Sequence, residues 1–257
     1  MPAPLPAADL LAPLDGAAYL LRGLGLITRP GLRRYVLIPL IINTVLFATL
    51  IVLVTGWIPD AIAWAEARLP GWLDWLAWLI LPLLVASLLL FLVYGFSACA
   101  NLVAAPFNGL LAEAVEYQLT GHRPGDPSSL GRLLADALPA FANELRKLVY
   151  FLLRAIPLGI LFLIPGPNAA APVLWLAFSA WMLALEYTDY PMANHGLDFR
   201  AERALLRLQP GRSLGFGGMV LAASLVPVIN FLVMPAAVAG ATALWVDRLR
   251  PAAAGRA

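Results

Sequence analysis

Four long stretches of this chain carry no charged side chain: Tyr35–Pro59, Trp75–Ala112, Ala155–Leu185 and Leu214–Val246. None alternates apolar with polar residues as a half-buried strand would. A backbone entering hydrocarbon must satisfy its own N–H and C=O groups, so apolar runs of this kind are restricted to helices. About 20 helical residues cover the roughly 30 Å hydrocarbon core. The first run therefore predicts a spanning helix over 36–55. The second, 38 residues long, predicts another over 82–102, with Pro82 in its first turn and Pro106 marking its far end. The third and fourth are broken, at Pro165-Gly166-Pro167 and Pro172 in one and at Pro227 and Pro235 in the other. Each half is too short to cross comfortably. They read as two partly inserted helical hairpins, 155–185 and 214–246, with two kinked spanning helices as the alternative.

The fold class predicted is an all-α integral membrane protein: two long transmembrane helices, two partly inserted hairpins and amphipathic helices. It is read as a single membrane domain over 1–257. Composition agrees, with 61% hydrophobic and 12% charged residues against about 25% charge in a soluble domain. A net charge of +2 without a basic stripe argues against nucleic acid. Cys99 is the single cysteine, which excludes an intrachain disulfide and a thiolate metal cage.

The segment 1–15, with prolines at 2, 4, 6 and 13, reads as a loose tail without a basic region, so no cleaved signal peptide is expected. A short amphipathic helix from Gly16 to Thr28 is expected at the interface, and a longer one from Leu130 to Arg154. The connector 56–74 holds three tryptophans, two prolines and, of 17 Lys/Arg residues, only Arg68. The positive-inside rule places it outside the cytoplasm.

At the foot of the first apolar run stands Pro30-Gly31-Leu32-Arg33-Arg34. Proline suits the first helical turn, and the following N–H groups, at the positive end of the macrodipole, then have no intrahelical acceptor. Two guanidinium groups on that turn make a compact oxyanion site from Gly31, Leu32, Arg33 and Arg34. The competing reading is that the arginines only snorkel to headgroups and fix orientation. Polar residues at membrane depth must find partners, and Asn43, Asn101, Asn108, Glu113 and Asn230 are candidates to line a hydrated path. Taken singly, the amides are as well explained by helix–helix contacts.

There is no phosphate-binding Gly-rich loop ending in Gly-Lys-Ser/Thr, and Gly23-Leu24-Gly25 follows no strand. No nucleophile–base pair is apparent. His122 and His195 read as solvated loop histidines, so neither a metal nor a cofactor is expected, nor an enzyme.

Further landmarks are Ala104-Ala105-Pro106-Phe107-Asn108-Gly109-Leu110-Leu111-Ala112-Glu113, Ala171-Pro172-Val173-Leu174-Trp175, and Asp189-Tyr190-Pro191 with Asn194-His195. Near the end come Met234-Pro235 and Gly240-Ala241-Thr242-Ala243 with Trp245-Val246-Asp247. Together with the Gly-Leu-Arg turn they resemble the CysZ sulfate-permease family of bacterial inner membranes, over roughly residues 17–250. The resemblance implies sulfate uptake for cysteine biosynthesis by a multi-pass, oligomeric protein of the inner membrane. It implies sulfate at Gly31, Leu32, Arg33 and, as their neighbour, Arg34, with sulfite and other small oxyanions as further candidates. The alternative from another class is a non-transporting membrane scaffold or assembly factor.

Overall fold

A computed structural model describes residues 11–67, 82–83, 85–87, 89–90, 106–123 and 130–254. Among them every regular element is a helix. In chain order these are α1 (Ala12–Ile27), α2 (Arg33–Glu66), α3 (residues 106–120), α4 (Leu130–Leu161), α5 (Ala171–Ala193), α6 (Phe199–Leu206), α7 (Pro210–Ser224), α8 (Pro227–Leu244) and α9 (Arg250–Ala254). A 3₁₀ turn at Pro167–Ala169 precedes α5, and a π turn at Trp245–Leu249 joins α8 to α9. The residues group into two compact units, 1–33 with 108–257, and 34–107.

In the second unit, α2 dominates. It runs through Pro39 and Pro59 to Glu66, so the first part of the expected connector 56–74 is helical. Its apolar span Arg33–Trp57 has none of its window buried in protein. Of the expected helix 82–102, the described residues within 82–90 are helical, while Asn101 and Cys99 lie outside the described residues.

The first unit is a helical bundle with α1 at its centre. The N-terminal amphipathic helix begins at Ala12, earlier than Gly16, because Pro13 fits a first helical turn that needs no N–H. It packs into the groove of α7 and α8. Small residues permit this approach. A Cβ on Gly23 would stand 2.0 Å from the Ala236 carbonyl oxygen, and one on Gly240 would stand 2.4 Å from that of Tyr19. Side chains of normal size would force the two backbones apart, as in close helix crossings within membranes. Around this crossing Ala236, Ala237, Val238, Ala239, Ala241 and Ala243 are fully buried.

Helices end at Leu161 and Ser224 and restart at Ala171 and Pro227. Both restarts carry proline at their first positions. Both α5 and the span Ile229–Ala254 are long and apolar enough to cross a membrane, as is Arg33–Trp57. The α5 arm, Ala171–Ala193, outruns the expected hairpin half because Glu186 and Asp189 end the apolar run without ending the helix.

Candidate anion-binding turn

Between α1 and α2 the chain makes a tight turn rather than running directly into a helix. The Leu32 N–H donates to the Arg29 carbonyl at 3.2 Å, and Gly31 has φ +88°. Proline at the second position and a positive-φ glycine at the third fit a type II turn over Arg29-Pro30-Gly31-Leu32. The helix therefore starts at Arg33, three residues past Pro30. Turn chemistry of the Pro-Gly pair prevails over the preference of proline for a first helical turn.

That shift redistributes the donors. The Leu32 N–H is used inside the turn, and its side chain, 1% exposed, anchors the turn in the apolar core. Among the described residues no acceptor faces the backbone N–H groups of Arg33, Arg34 and Tyr35. These open α2 at the positive end of its dipole. The turn is held from two further sides. The Gln118 carboxamide on α3 donates to the Pro30 carbonyl at 3.0 Å, and Arg33 Nε donates to the Thr28 carbonyl at 2.8 Å. Among the described residues only Nε of Arg33 is engaged in this way. Arg34 donates to the Tyr35 hydroxyl at 3.0 Å, with its guanidinium carbon 4.8 Å from that ring's centroid. Arg29, Arg33 and Arg34 are all exposed, and among the described residues none is paired with a carboxylate. Neither Arg29 nor Gln118 stood out in the sequence. Gln118 is 88 positions from its acceptor, beyond any local pattern.

The candidate pathway residues are dispersed. Asn108 and Glu113 share α3, the former 6% exposed and donating to the Tyr190 hydroxyl at 3.3 Å, the latter half-buried. Asn230 is exposed in the first turn of α8, its backbone N–H on the Val226 carbonyl. Asn43 belongs to α2, and its Oδ1 is buried without a hydrogen-bond partner among the described residues.

The motif around Asp189–His195 is where the bundle gathers its charges. Asp189 accepts from Lys147 Nζ at 2.7 Å, Asn194 donates to the Gly109 carbonyl at 3.2 Å, and His195 Nε2 lies 2.9 Å from Glu116. Glu116, 1% exposed, also accepts from Arg250 at 3.1 Å. His195 is thus a bonded, part-buried group and not the solvated loop histidine expected. The π turn helps here, because its extra residue per turn re-aims side chains. It presents Asp247 to Tyr19 and Arg22, and is followed by Arg250. Burial opposes the charge on Lys147, but the Asp189 carboxylate and hydrogen bonds to Asp189 and Glu144 prevail and hold its pKa above the ordinary lysine value. Glu202, 1% exposed, accepts from Thr188 at 3.0 Å. Burial first, and the Asp189 charge second, push its carboxyl well above the usual range.

Among the described residues, three helices long and apolar enough to cross a membrane, and a bundle packed on small residues, define a helical membrane protein. The chain belongs to the family described as sulfate transporter CysZ/etoposide-induced protein 2.4, whose model matches residues 19–235. It is 45% identical over 246 residues to the sulfate transporter CysZ of Salmonella typhimurium, covering 94% of this chain and 95% of that protein. To the sulfate transporter CysZ of Pectobacterium atrosepticum it is 46% identical over 241 residues, covering 92% and 86% respectively.

Proposed function

We propose that this protein is a sulfate permease of the bacterial inner membrane, importing sulfate for cysteine biosynthesis, with the anion docking at Gly31, Leu32, Arg33 and Arg34. The observation that carries the reading is 45% identity to a protein named a sulfate transporter across 94% of the chain. The turn supports it: three exposed arginines that have no carboxylate partner among the described residues stand beside backbone N–H groups that have no acceptor among them either. Gly31 gives the turn its positive φ, Leu32 anchors it, and the guanidinium groups of Arg33 and Arg34 meet the oxyanion. Sulfite and other small oxyanions share the chemistry that the turn recognises. A strongly hydrated divalent anion needs donors that replace water without holding it too tightly, and an exposed turn meets that condition.

The same reading has the chain multi-pass and homo-oligomeric, with 36–55 and 82–102 spanning, 155–185 and 214–246 partly inserted, and 56–74 outside the cytoplasm. Asn43, Asn101, Asn108, Glu113 and Asn230 are its candidates to line the path.

Sulfate affinity of purified wild type, Arg33→Lys, Arg33→Ala and Arg34→Ala tests the site. A charge-assisted hydrogen bond contributes about 1.5–3 kcal/mol, so each alanine variant should bind about ten- to a hundredfold more weakly. Lysine keeps the charge but loses the planar fork, and affinity should fall there too. Monodisperse variants with wild-type affinity would return the arginines to a snorkelling role. Flux of labelled sulfate into liposomes holding only this protein separates a permease from a scaffold.

A further inference from the structure

A second pair of arginines, on different helices, converges on one aromatic ring. Tyr150 of α4 is buried, and its hydroxyl accepts from Trp181 Nε1 at 2.9 Å, which fixes the ring. The guanidinium carbon of Arg154 lies 3.7 Å from the centroid of this ring, and that of Arg203 on α6 lies 5.1 Å from it. Phe199 packs edge-on against Tyr150 at 5.4 Å and also lies under Arg203, at 5.7 Å. Two positive charges thus gather on a single ring. Among the described residues neither is paired with a carboxylate. Their neighbours do not supply one: Glu202 bonds Thr188, and Asp189 takes Lys147. Like charges gathered on one ring repel, so an anion bound beside the pair would relieve that repulsion.

The surroundings indicate which anion. Arg154 is the last charge before the charge-free run Ala155–Leu185. On the same helix Leu148, Leu152, Leu153 and Ile156 are exposed, and no described protein segment covers them. In a membrane protein such a stripe faces acyl chains, which puts Arg154 at headgroup depth, beside an indole and a phenol of the kind that gathers there. The ring faces hold the guanidinium carbons by cation–π attraction; Arg154 Nη1 also donates to the Tyr150 carbonyl at 3.4 Å, and the remaining N–H groups of the pair are those that would meet phosphate oxygens. A free oxyanion would gain nothing from the apolar stripe, whereas a phospholipid occupies both.

We propose that Tyr150, Arg154 and Arg203 form a binding site for the phosphodiester of an anionic phospholipid, its acyl chains lying along Leu152, Leu153 and Ile156. The site is separate from the Gly31–Arg34 turn and does not depend on sulfate being the transported solute.

Native mass spectrometry of the full chain in detergent, titrated with phosphatidylglycerol or with phosphatidylcholine of matched chains, tests it. A basic residue at a membrane surface contributes about fivefold to anionic-lipid affinity, so wild type should favour phosphatidylglycerol by about twenty- to thirtyfold. Arg203→Gln should lose about fivefold of this, and Arg154→Gln/Arg203→Gln nearly all of it. Arg33→Gln should keep the full preference, and sulfate at millimolar concentration should not displace the lipid. An undiminished preference in Arg203→Gln, the milder variant that keeps the Tyr150–Arg154 pair, overturns the assignment. So does displacement of the lipid by sulfate, which would make the pair a free-oxyanion site.

Discussion

Two apolar spans of similar length, Arg33–Trp57 on α2 and Ile229–Ala254 from α8 onward, have opposite fates. In the first, 0% of the apolar window is buried within the protein, and in the second 61% is. Both are apolar enough to cross a membrane, and the higher hydropathy of the first does not by itself account for so wide a difference in burial. Side-chain size does. The first is built of Leu, Ile, Val and Phe, whose bulk holds other backbones away and suits lipid, and Val45, Ile41 and Val52 are more than half exposed. The second is rich in Ala and carries Gly240, and these small residues admit α1 to backbone contact. Without a hydrophobic drive between helices in hydrocarbon, this closeness and the polar bonds at its ends hold the bundle together.

The comparison predicts where substitutions hurt, and polar bonds in the bundle should hurt most. Lys147→Met leaves Asp189 without its cation in a part-buried setting, at a cost of about 3–5 kcal/mol. Thermal unfolding in detergent should show it as the largest fall in midpoint. A wild-type midpoint would mean the pair adds nothing. Next comes backbone contact. Gly23→Leu must displace α8 and should destabilise by about 1–3 kcal/mol or more, while Gly25→Ala, two positions on and facing open space, should not. Equal effects of the two would break the argument from size.

A smaller effect is tied to pH. The folded Glu202 carboxyl keeps its proton at pH values where an unfolded one loses it. The folded state then binds more protons, so stability falls as pH rises from the ordinary carboxylate value towards the raised one, by at most about 1.4 kcal/mol per pH unit. Glu202→Gln should flatten this slope, and an unchanged pH profile would reject the buried acid as its source. Smallest of all, Val52→Ala on α2 should shift stability by less than about 0.5 kcal/mol.

The charge-free runs and their prolines made an all-helical membrane fold readable, because both express local rules about charge and missing N–H groups. Position within the fold was less readable. Gly16 and Gly23 look like weak points in a short surface helix until the partner backbone from α7 or α8 is known, since a residue without a side chain carries no sign of what lies against it. At the candidate site Arg33 and Arg34 were evident as charge beside an apolar run. Pro30 taken alone points to a helix start, whereas proline followed by glycine is itself a turn signal, and the structure follows the pair. Gln118 and the Glu116–His195–Arg250 set were out of reach, as they join residues 79 to 134 positions apart.

The lodging of α1 between α7 and α8 also has a consequence in time. Tyr19 meets Asp247, 228 positions later, and Asp15 meets Arg212, 197 positions later. At about 5–20 residues per second, roughly 10–45 s of synthesis separate this helix from the partners that bury it. During that interval the backbones that cover its glycine-lined face have not yet been made. Truncation near the C-terminus therefore strands the N-terminus, and the bundle closes only once its last helices have been made.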